Sequence, residues 1–501
     1  MNSSLSRSRF NTLFFSIVRR LAFLSVLLAA FCRPMLANNI TVSSPVLSTG
    51  SAADGYDFVT FDLSWENSWR LSSGASNWDA AWVFVKYRVS GGEWLPANLH
   101  NTGHVAGTGT AADITVGLVD DNAAFNATTN PGIGAFVYRS SAGSGTFTST
   151  GLKLRWDYGA DGIAASTTVE VQVFAIEMVR VLEGAFNAGG GGGTNAFTST
   201  TINTPTATTA PSGSGTLGGE AGGYPTGQAA PSNASWPNGY NAFYCMKYEV
   251  TQQQYVDFLN TLTQTQADAR KANESTYRYA ITGTAVGSYA TTNPNVACNY
   301  LSWADGAAYA DWSGLRPMTE LEFEKACRGP EGAVSGEYAW GTATLASIAY
   351  TLSGAGTASE GIATNYSTTV GNAVYSFTIV SGNEGPLRVG IFAANGSNTG
   401  RVSAGASYWG IMELSGNVSE RPVTIDNVTG LAFTGTHGDG VLTSSGNANA
   451  ATWPGTDAVG SGWRGGSWIY STSIMQVSDR TIAGFSYSSR EYSLGFRAVR
   501  R

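Results

Sequence analysis

The pattern of apolar and polar residues predicts that the first part of the chain is made of strands. Residues 39–47 and 80–89 are rich in β-branched and aromatic side chains, and residues 58–65 and 167–176 alternate between apolar and polar side chains. Gly, Asn and Ser dominate the turns, and none of these segments has the period of an amphipathic helix. We therefore predict an all-β sandwich domain over residues 38–175.

Three segments of the second part have the pattern of short helices. Residues 251–262 place apolar side chains on one helical face, with Thr251 as a suitable N-cap. Residues 303–312 form a second such segment, and a third follows Thr319, which makes a capping-box pattern with Glu322. Gly-rich turns and short aromatic strands follow the third segment, so the chain as a whole is predicted to be α+β.

A segment of low complexity lies between the predicted strands and the predicted helices. Residues 189–238 consist mainly of Gly, Thr, Ser, Ala and Pro, with few large apolar side chains. Such a composition buries too little apolar surface to offset the conformational entropy lost on ordering the chain. We predict that this Gly/Ser/Thr/Pro-rich insertion is a mobile loop.

Residues 1–37 have the pattern of a signal peptide. They contain five arginines and no acidic residue, and the apolar run Leu21–Phe31 is 11 residues long. This run is short for a membrane span but suits a signal-peptide core, and Ala37 is a small residue suited to cleavage. A membrane anchor is the alternative interpretation. We predict export through the signal peptide to the extracellular space, the cell surface or the periplasm.

Charge and cysteine content narrow the classes of partner. Loss of residues 1–37 would change the formal net charge from −7 to −12, because five arginines are removed. An acidic chain without a basic cluster argues against nucleic acid as a partner. No other apolar run reaches membrane-spanning length, so we expect no stable membrane insertion after signal removal. Cys245, Cys298 and Cys327 would remain, and their pairing stays open.

Segments of residues 176–501 resemble, in the same order, motifs of the formylglycine-generating enzyme (sulfatase-modifying factor) family. The resembling segments are 178–186 (MVRVLEGAF), 243–259 (FYCMKYEVTQQQYVDFL), 301–329, 338–341 (YAWG), 363–366 (ATNY), 408–420 (YWGIMELSGNVSE), 464–468 (RGGSW) and 495–497 (GFR). The resemblance implies a loop-rich C-type-lectin-like fold for residues 176–501. The predicted β-sandwich domain lies outside it.

The chemistry of that family depends on a pair of cysteines that this chain lacks. The family enzyme oxidises a cysteine of a sulfatase peptide, using copper held by two thiolates just after the GGS motif. Residues 465–480 (GGSWIYSTSIMQVSDR) contain no cysteine, and the corresponding positions fall near Tyr470 and Met475. Soft thiolates are the ligands that Cu(I) requires. We therefore expect no copper and assign no catalytic residue.

Other catalytic signatures are missing from the sequence. It contains no GxSxG, no phosphate-binding loop ending in Gly-Lys-Ser/Thr, and no HExxH. We interpret the histidines as solvated loop residues rather than metal ligands: His100, His104 and His437. We interpret the acidic residues of the third predicted helix as a solvated, capped face: Glu320, Glu322 and Glu324.

The resemblance also implies structural calcium, which prefers hard oxygen ligands. It assigns one site to Asn365 and Tyr366, with Glu384 as a substitute for an acidic turn that is otherwise not evident. It assigns a second site to Asn417, the Val418 carbonyl and Glu420. The alternative for Asn417 is a turn residue whose side chain bonds to nearby backbone.

These observations favour an exported, non-catalytic binding or scaffolding protein whose loops contact a protein or glycan ligand at the cell surface. Aromatic, Ser and Arg side chains suit such a contact surface. The candidate ligand-binding residues are Trp468, Tyr470, Ser471, Ser473, Met475, Tyr487, Ser488, Arg490 and Tyr492. One alternative is a family enzyme with altered metal-dependent oxidative chemistry, and another is a self-assembling structural component of the cell surface or extracellular space. Whether the 468–492 surface is diversified stays open.

Overall fold

The computed structural model describes residues 39–206, 216–217, 220–221, 233–376 and 382–501. The predicted signal peptide lies outside these residues. Within them, no helix combines the length and the apolar character needed to cross a bilayer.

The described residues form short helices and many strands. The strands are β1 Thr41–Val42, β2 Val46–Ser51, β3 Tyr56–Arg70, β4 Asp79–Val89, β5 Leu95–Pro96, β6 Thr108–Gly109, β7 Ala112–Leu118, β8 Gly132–Arg139, β9 Gly143–Trp156, β10 Val169–Val181, β11 Phe186–Ala188, β12 Thr200–Ile202, β13 Thr216–Leu217, β14 Glu220–Ala221, β15 Phe243–Met246, β16 Ile281–Thr282, β17 Ala290–Thr291, β18 Arg316–Pro317, β19 Thr351–Ser353, β20 Gly361–Thr364 and β21 Ala498–Arg500. The helices are α1 Gln252–Leu259, α2 Gln264–Arg270, α3 Trp303–Trp312, α4 Glu320–Arg328 and α5 Val428–Leu431. The strands predicted at 58–65, 80–89 and 167–176 are confirmed as β3, β4 and β10. The three predicted helices are confirmed as α1, α3 and α4.

Two sheets enclose the core of the first part. One has five strands, β1, β2, β3, β9 and β6, and the other has eight, which include β7, β8, β4, β10, β15, β21 and β18. Side chains of β3 and β9, such as Trp65 and Leu154, pack in one cluster with Val83 of β4 and Val137 of β8. This is the two-layer packing expected of a sandwich.

The eight-stranded sheet is covered on its other face by the second part of the chain. Phe84 of β4 meets Trp312 of α3 edge to face at 4.9 Å, and Trp82 Nε1 donates to the Ser313 carbonyl at 2.7 Å. The first nine residues of β4 are therefore buried on both faces. Strand β10 pairs with β4 along its length and then with β15. The boundary predicted between residues 175 and 176 falls inside this strand.

The predicted mobile insertion is ordered at both of its ends. Strand β11 pairs with β12, and Phe197, Ile202 and Trp236 are buried in the same core as helices α1 and α3. Trp236 Nε1 also donates to the Gly430 carbonyl at 3.0 Å. The prediction of a mobile loop is wrong for residues 189–206 and 233–238, because a few apolar side chains anchor a Gly-rich chain to the core. Most of the segment between lies outside the described residues.

The acidic residues of α4 are buried rather than solvated. Glu320 accepts hydrogen bonds from Arg480 at 2.8 Å and Arg464 at 2.9 Å, and Glu324 accepts from Arg464 at 3.0 Å. Although burial alone would raise the pKa of Glu320, the Arg480 and Arg464 guanidiniums hold that pKa at about 2. The interpretation of Glu320, Glu322 and Glu324 as a solvated face is wrong, because all three are buried. Distant arginines neutralise Glu320 and Glu324, and Arg316 neutralises Glu322.

Replacing Glu320 with Gln should lower the free energy of unfolding by about 3–5 kcal/mol at pH 7, because two buried guanidiniums lose their counter-charge. The pKa of Glu320 is lower in the folded than in the unfolded chain. Its stabilisation is therefore complete above the ordinary pKa of 4.5 and is lost as the pH falls toward about 2. Urea unfolding at pH 7 and pH 3 measures the difference, which should shrink at pH 3.

The matched control is Glu170→Gln, which removes an exposed ion pair with Arg88. This variant should unfold like the unmodified chain at both pH values. An equal loss of stability for Glu320→Gln at pH 7 and pH 3 would contradict the ion-pair assignment.

Candidate functional site

Hydrogen bonds join three of the segments that resemble the family: 408–420, 464–468 and 495–497. We call these three joined segments the frame. The backbone groups of Arg464 and Glu420 bond to each other in both directions, at 3.0 and 3.2 Å. Gly495 N donates to the Ser419 carbonyl at 3.1 Å, and Arg497 Nε donates to the Glu420 carboxylate at 3.1 Å. The segment between residues 465 and 494 is therefore held at both ends.

Tyr470 and Met475, which stand near the positions of the missing cysteine pair, lie in closed surroundings. Met475 is fully buried in a cluster with Tyr338 and Trp340, and its carbonyl accepts from Ser415 Oγ at 2.8 Å. Tyr470 is half-buried, and burial raises the pKa of its hydroxyl. The assignment of Met475 to a contact surface is wrong in this structure, because its thioether fills a core.

Trp468 and Tyr492 come together with a residue that the sequence did not single out. The ring of Tyr277 lies 5.1 Å from that of Trp468 and 4.7 Å from that of Tyr492, and these two rings are 5.7 Å apart. Trp468 Nε1 donates to the Tyr492 carbonyl at 3.0 Å. Trp468 is largely buried, whereas Tyr277 is 41% exposed. We call these three residues the aromatic triad. No local signal around Tyr277 could have placed it there.

The other predicted contact residues are exposed, with one exception. Ser471 and Ser473 are exposed and lie 3.1 Å apart at their hydroxyls, and Tyr487 and Ser488 are exposed on a second loop. Arg490 is the exception, because its guanidinium is already engaged. It binds both carboxylate oxygens of Asp305, at 2.7 and 2.8 Å.

The exposed aromatic residues of the second loop form a separate patch. Phe485 packs edge to face on Trp463 at 5.3 Å, and Tyr487 does so at 6.3 Å. Phe485 was not predicted, although an aromatic residue two positions before Tyr487 was a usable signal. The predicted contact residues are thus distributed between this patch and the surroundings of the aromatic triad.

The residues of the first implied calcium site are bonded to other parts of the chain. Asn365 is exposed in the left-handed region, with φ 69°, and donates through Nδ2 to the Ala349 carbonyl at 2.7 Å. The Tyr366 hydroxyl donates to the Ser403 carbonyl at 2.9 Å. Glu384 accepts from Gly382 N within its own turn. These bonds supply no argument for a cation at this place.

The second implied site is built around a buried glutamate. Asn417 Nδ2 donates to Glu249 Oε2 at 2.5 Å, and Val418 N donates to Glu249 Oε1 at 3.0 Å. Asn417 Oδ1 accepts from Leu387 N at 2.8 Å, and its φ of 66° lies in the left-handed region. This geometry favours the alternative for Asn417, a turn residue that holds the loop in place.

Two carboxylate oxygens beside that turn lack a hydrogen-bond partner within the described chain. Glu413 uses Oε1 to accept from Gly390 N, and Glu420 uses Oε1 to accept from Arg497, but the buried Oε2 atoms of both have none. Burial raises the pKa of both carboxyls to about 7. A cavity of about 10 Å³ lined by Glu413 and Asn417 has room for one small ion or water.

Glu413 was missed, although its motif offered a signal. It occupies the acidic position of the family motif GLYDMxGNVWE. Unpaired carboxylate oxygens and turn carbonyls are the donors that Ca²⁺ takes. Side chains of His, Cys, Asp and Glu do not by themselves form a metal-binding group of three or more anywhere in the described ranges. A cation here would therefore depend on backbone carbonyls as well.

Two of the histidines, His104 and His437, and the three described cysteines are hydrogen-bonded or buried within the fold. His104 bonds through Nε2 to the His100 carbonyl at 2.7 Å and through Nδ1 to Arg155 N at 3.0 Å. His437 is buried and accepts from Arg501 N, so its interpretation as a solvated loop residue is wrong. The three described cysteines are buried free thiols: Cys245, Cys298 and Cys327.

Comparison with known proteins identifies the family of the second part. The family described as "Sulfatase-modifying factor enzyme 1-like domain" matches residues 193–501, which is more than half of the chain. The chain belongs to this family. The match begins later than the resemblance inferred over 176–501, and β11 and the start of the insertion precede it.

Two formylglycine-generating enzymes are similar to short segments of this sulfatase-modifying factor family member. The enzyme from Thermomonospora curvata is 46% identical over 55 residues, which is 11% of this chain and 18% of the enzyme. The enzyme from Streptomyces coelicolor is 47% identical over 51 residues, 10% of this chain and 16% of the enzyme. The chain thus matches less than a fifth of the length of either enzyme.

Met475→Ala should lower the free energy of unfolding by about 2–4 kcal/mol, because it leaves a cavity in a closed core. Ser473→Ala, a few residues away on the exposed surface, should change it by less than about 0.5 kcal/mol. Urea unfolding of both variants checks the contrast. A Met475→Ala variant as stable as the unmodified chain would show that the thioether is not packed as described.

Proposed function

We propose that this protein is an exported, non-catalytic binding or scaffolding protein that uses its sulfatase-modifying factor domain to contact a ligand. The proposal rests on one contrast. The frame is intact, but the positions that correspond to the copper-binding cysteines of the family hold other residues. The frame that joins Arg464, Glu420 and Arg497 is present, but Tyr470 and the buried Met475 stand where a copper site would need thiolates.

The surface around the aromatic triad supports a contact role. The exposed ring of Tyr277 packs on Trp468 and Tyr492. Ser471 and Ser473, which follow Trp468 within five residues, have exposed hydroxyls. Rigid aromatic rings give contact area at a low cost in conformational entropy, and Ser hydroxyls adapt to different polar partners. A protein or glycan of the cell surface is the ligand class that we propose.

Tyr277→Ala should weaken ligand binding at least tenfold, because it removes the exposed ring of the triad. Binding is measured with the full chain on an array of purified glycans and, in a second arm, on purified cell-surface proteins. Ile348→Ala removes a side chain that is 64% exposed elsewhere and is the matched control. Equal binding by both variants would place the contact surface away from the triad.

The enzymatic alternative is tested separately. Full-length protein incubated with copper and a cysteine-containing sulfatase peptide should leave the cysteine unmodified, as followed by mass spectrometry. Oxidation of that cysteine with bound stoichiometric copper would replace the proposal by the alternative of altered oxidative chemistry.

We further propose that calcium is a structural cofactor of the 413–420 turn. Glu413, Glu420 and the Val418 carbonyl would hold it, and Asn417 would shape the turn. One support is that the Oε2 atoms of Glu413 and Glu420 have no hydrogen-bond partner among the described residues. A second is that the buried carboxyls of Glu249, Glu413 and Glu420 repel one another. A divalent cation would offset that repulsion.

Calcium should raise the melting temperature of chelator-treated protein and give a saturable signal in titration calorimetry, because it binds only the folded chain. Glu413→Gln should weaken calcium binding at least tenfold, since one charged ligand is lost. Asp113→Asn, which alters an exposed carboxyl, is the control. Unchanged melting in calcium and in chelator would reject the site.

A further inference from the structure

Part of one edge of strand β10 is left open by the described strands. On one side, β10 pairs with β4 from Val169 to Val179. On the other side, β15 pairs only with the last four residues of β10, Met178–Val181. Within the part of the chain that the structure describes, residues 169–176 therefore have a strand on one side only, and we call their other side the open edge. An open edge carries backbone N–H and C=O groups that can pair with another strand.

The odd-numbered residues of β10 turn their backbone groups to the open edge. Ala97 N donates to the Val85 carbonyl at 3.0 Å, so the backbone groups of Val85 point to β5 and away from β10. Opposite residues of an antiparallel pair face each other or face away together, so Val173, the partner of Val85, points away from β4. The bond from Lys247 N to the Glu177 carbonyl, at 2.9 Å, gives the same direction for a second odd-numbered residue.

Three residues therefore present backbone groups along the open edge: Val171, Val173 and Ala175. These groups form no backbone hydrogen bond to another strand or loop among the described residues. The three side chains pack toward the five-stranded sheet, which fixes the direction of the strand. An N–H and a C=O thus recur at every second residue, which is the spacing at which another extended chain presents its own groups.

A groove of about 460 Å³ runs along the open edge at residues 172–176. Residues 40–45, which include β1 of the five-stranded sheet, line one side of it, and residues 251–257 of the α1 region line the other. The groove thus lies between the two layers that cover opposite faces of the eight-stranded sheet. One extended chain can enter between these layers. Two copies of the protein cannot join their β10 edges directly, because each edge lies between the same two walls.

The lining of the groove indicates the chemistry of the chain that would enter it. Apolar side chains occur on both sides, with Ile40 and Val42 on one and Phe174 and Tyr309 on the other. Asp257 is the one charged residue among the described residues of the lining. Burial raises its pKa to about 6, so its carboxylate is ionised at neutral pH. An apolar segment with a basic residue suits this lining, whereas an acidic segment would be repelled.

We propose that an extended apolar peptide segment of another protein, carrying a Lys or Arg, binds in this groove and pairs with β10 at residues 171–175. Main-chain hydrogen bonds to the open edge would supply affinity, and the two walls would select side chains at alternate positions. The described residues of the lining include none of the aromatic triad. The inference therefore does not depend on the ligand surface proposed above.

The first test is selection of phage-displayed random octapeptides on the purified full chain, followed by fluorescence polarisation of the selected peptides. Val173→Pro removes the central N–H of the open edge without removing a bond to β4. This variant should weaken peptide binding about tenfold, because one hydrogen bond is lost and the proline ring occupies its place. Val173→Ala keeps the N–H and is the matched control, which should bind within about threefold of the unmodified chain.

N-methylation of a selected peptide gives a second measurement that does not depend on how a variant folds. Methyl groups on one set of alternate backbone nitrogens should abolish binding, and methyl groups on the other set should be tolerated, because only one set faces β10. The proposal is overturned if no peptide is selected, if Val173→Pro binds the peptides as the unmodified chain does, or if sensitivity to N-methylation does not alternate. Self-association that Val173→Pro abolishes would assign the edge to a second copy instead.

Discussion

The strand pair β4 and β10 presents apolar side chains to both sides of the central sheet, and both sides must be covered. One side receives the five-stranded sheet, and the other receives helices α1 and α3 with the loops that follow them. Strand β10 then continues into the pairing with β15. Since neither part of the chain can withdraw without exposing one face of this sheet, the predicted sandwich and the sulfatase-modifying factor domain share the sheet.

Around that sheet, buried ion pairs hold in place the loops that have little regular secondary structure. Arg464 and Arg480 join the C-terminal loops to Glu320 at the start of α4. Arg497 joins the last strand region to Glu420. Such pairs stabilise loops because breaking one leaves an uncompensated buried charge. The segment between residues 465 and 494 is therefore fixed at both ends and also at Arg480 within it.

The same domain groups buried acidic side chains at one turn. Glu249, Glu413 and Glu420 are grouped at the 413–420 turn. The Oε2 atoms of Glu413 and Glu420 have no hydrogen-bond partner among the residues that the structure describes. Buried charges of one sign repel in a medium of low dielectric constant. A divalent cation at this turn would offset that repulsion, which is the physical argument for the proposed calcium ion.

The sequence by itself determined the features that depend on neighbouring residues. The caps at Thr251 and Thr319 began their helices, the alternating strands formed, and the ordered motifs identified the family. Only the tertiary structure decided which polar and sulfur groups are buried, as with Glu320 and Met475, and which distant ring completes the aromatic triad. Caps and alternation act within a few residues, whereas burial and ion pairing depend on contacts between segments that are far apart in the chain and meet only in the folded protein.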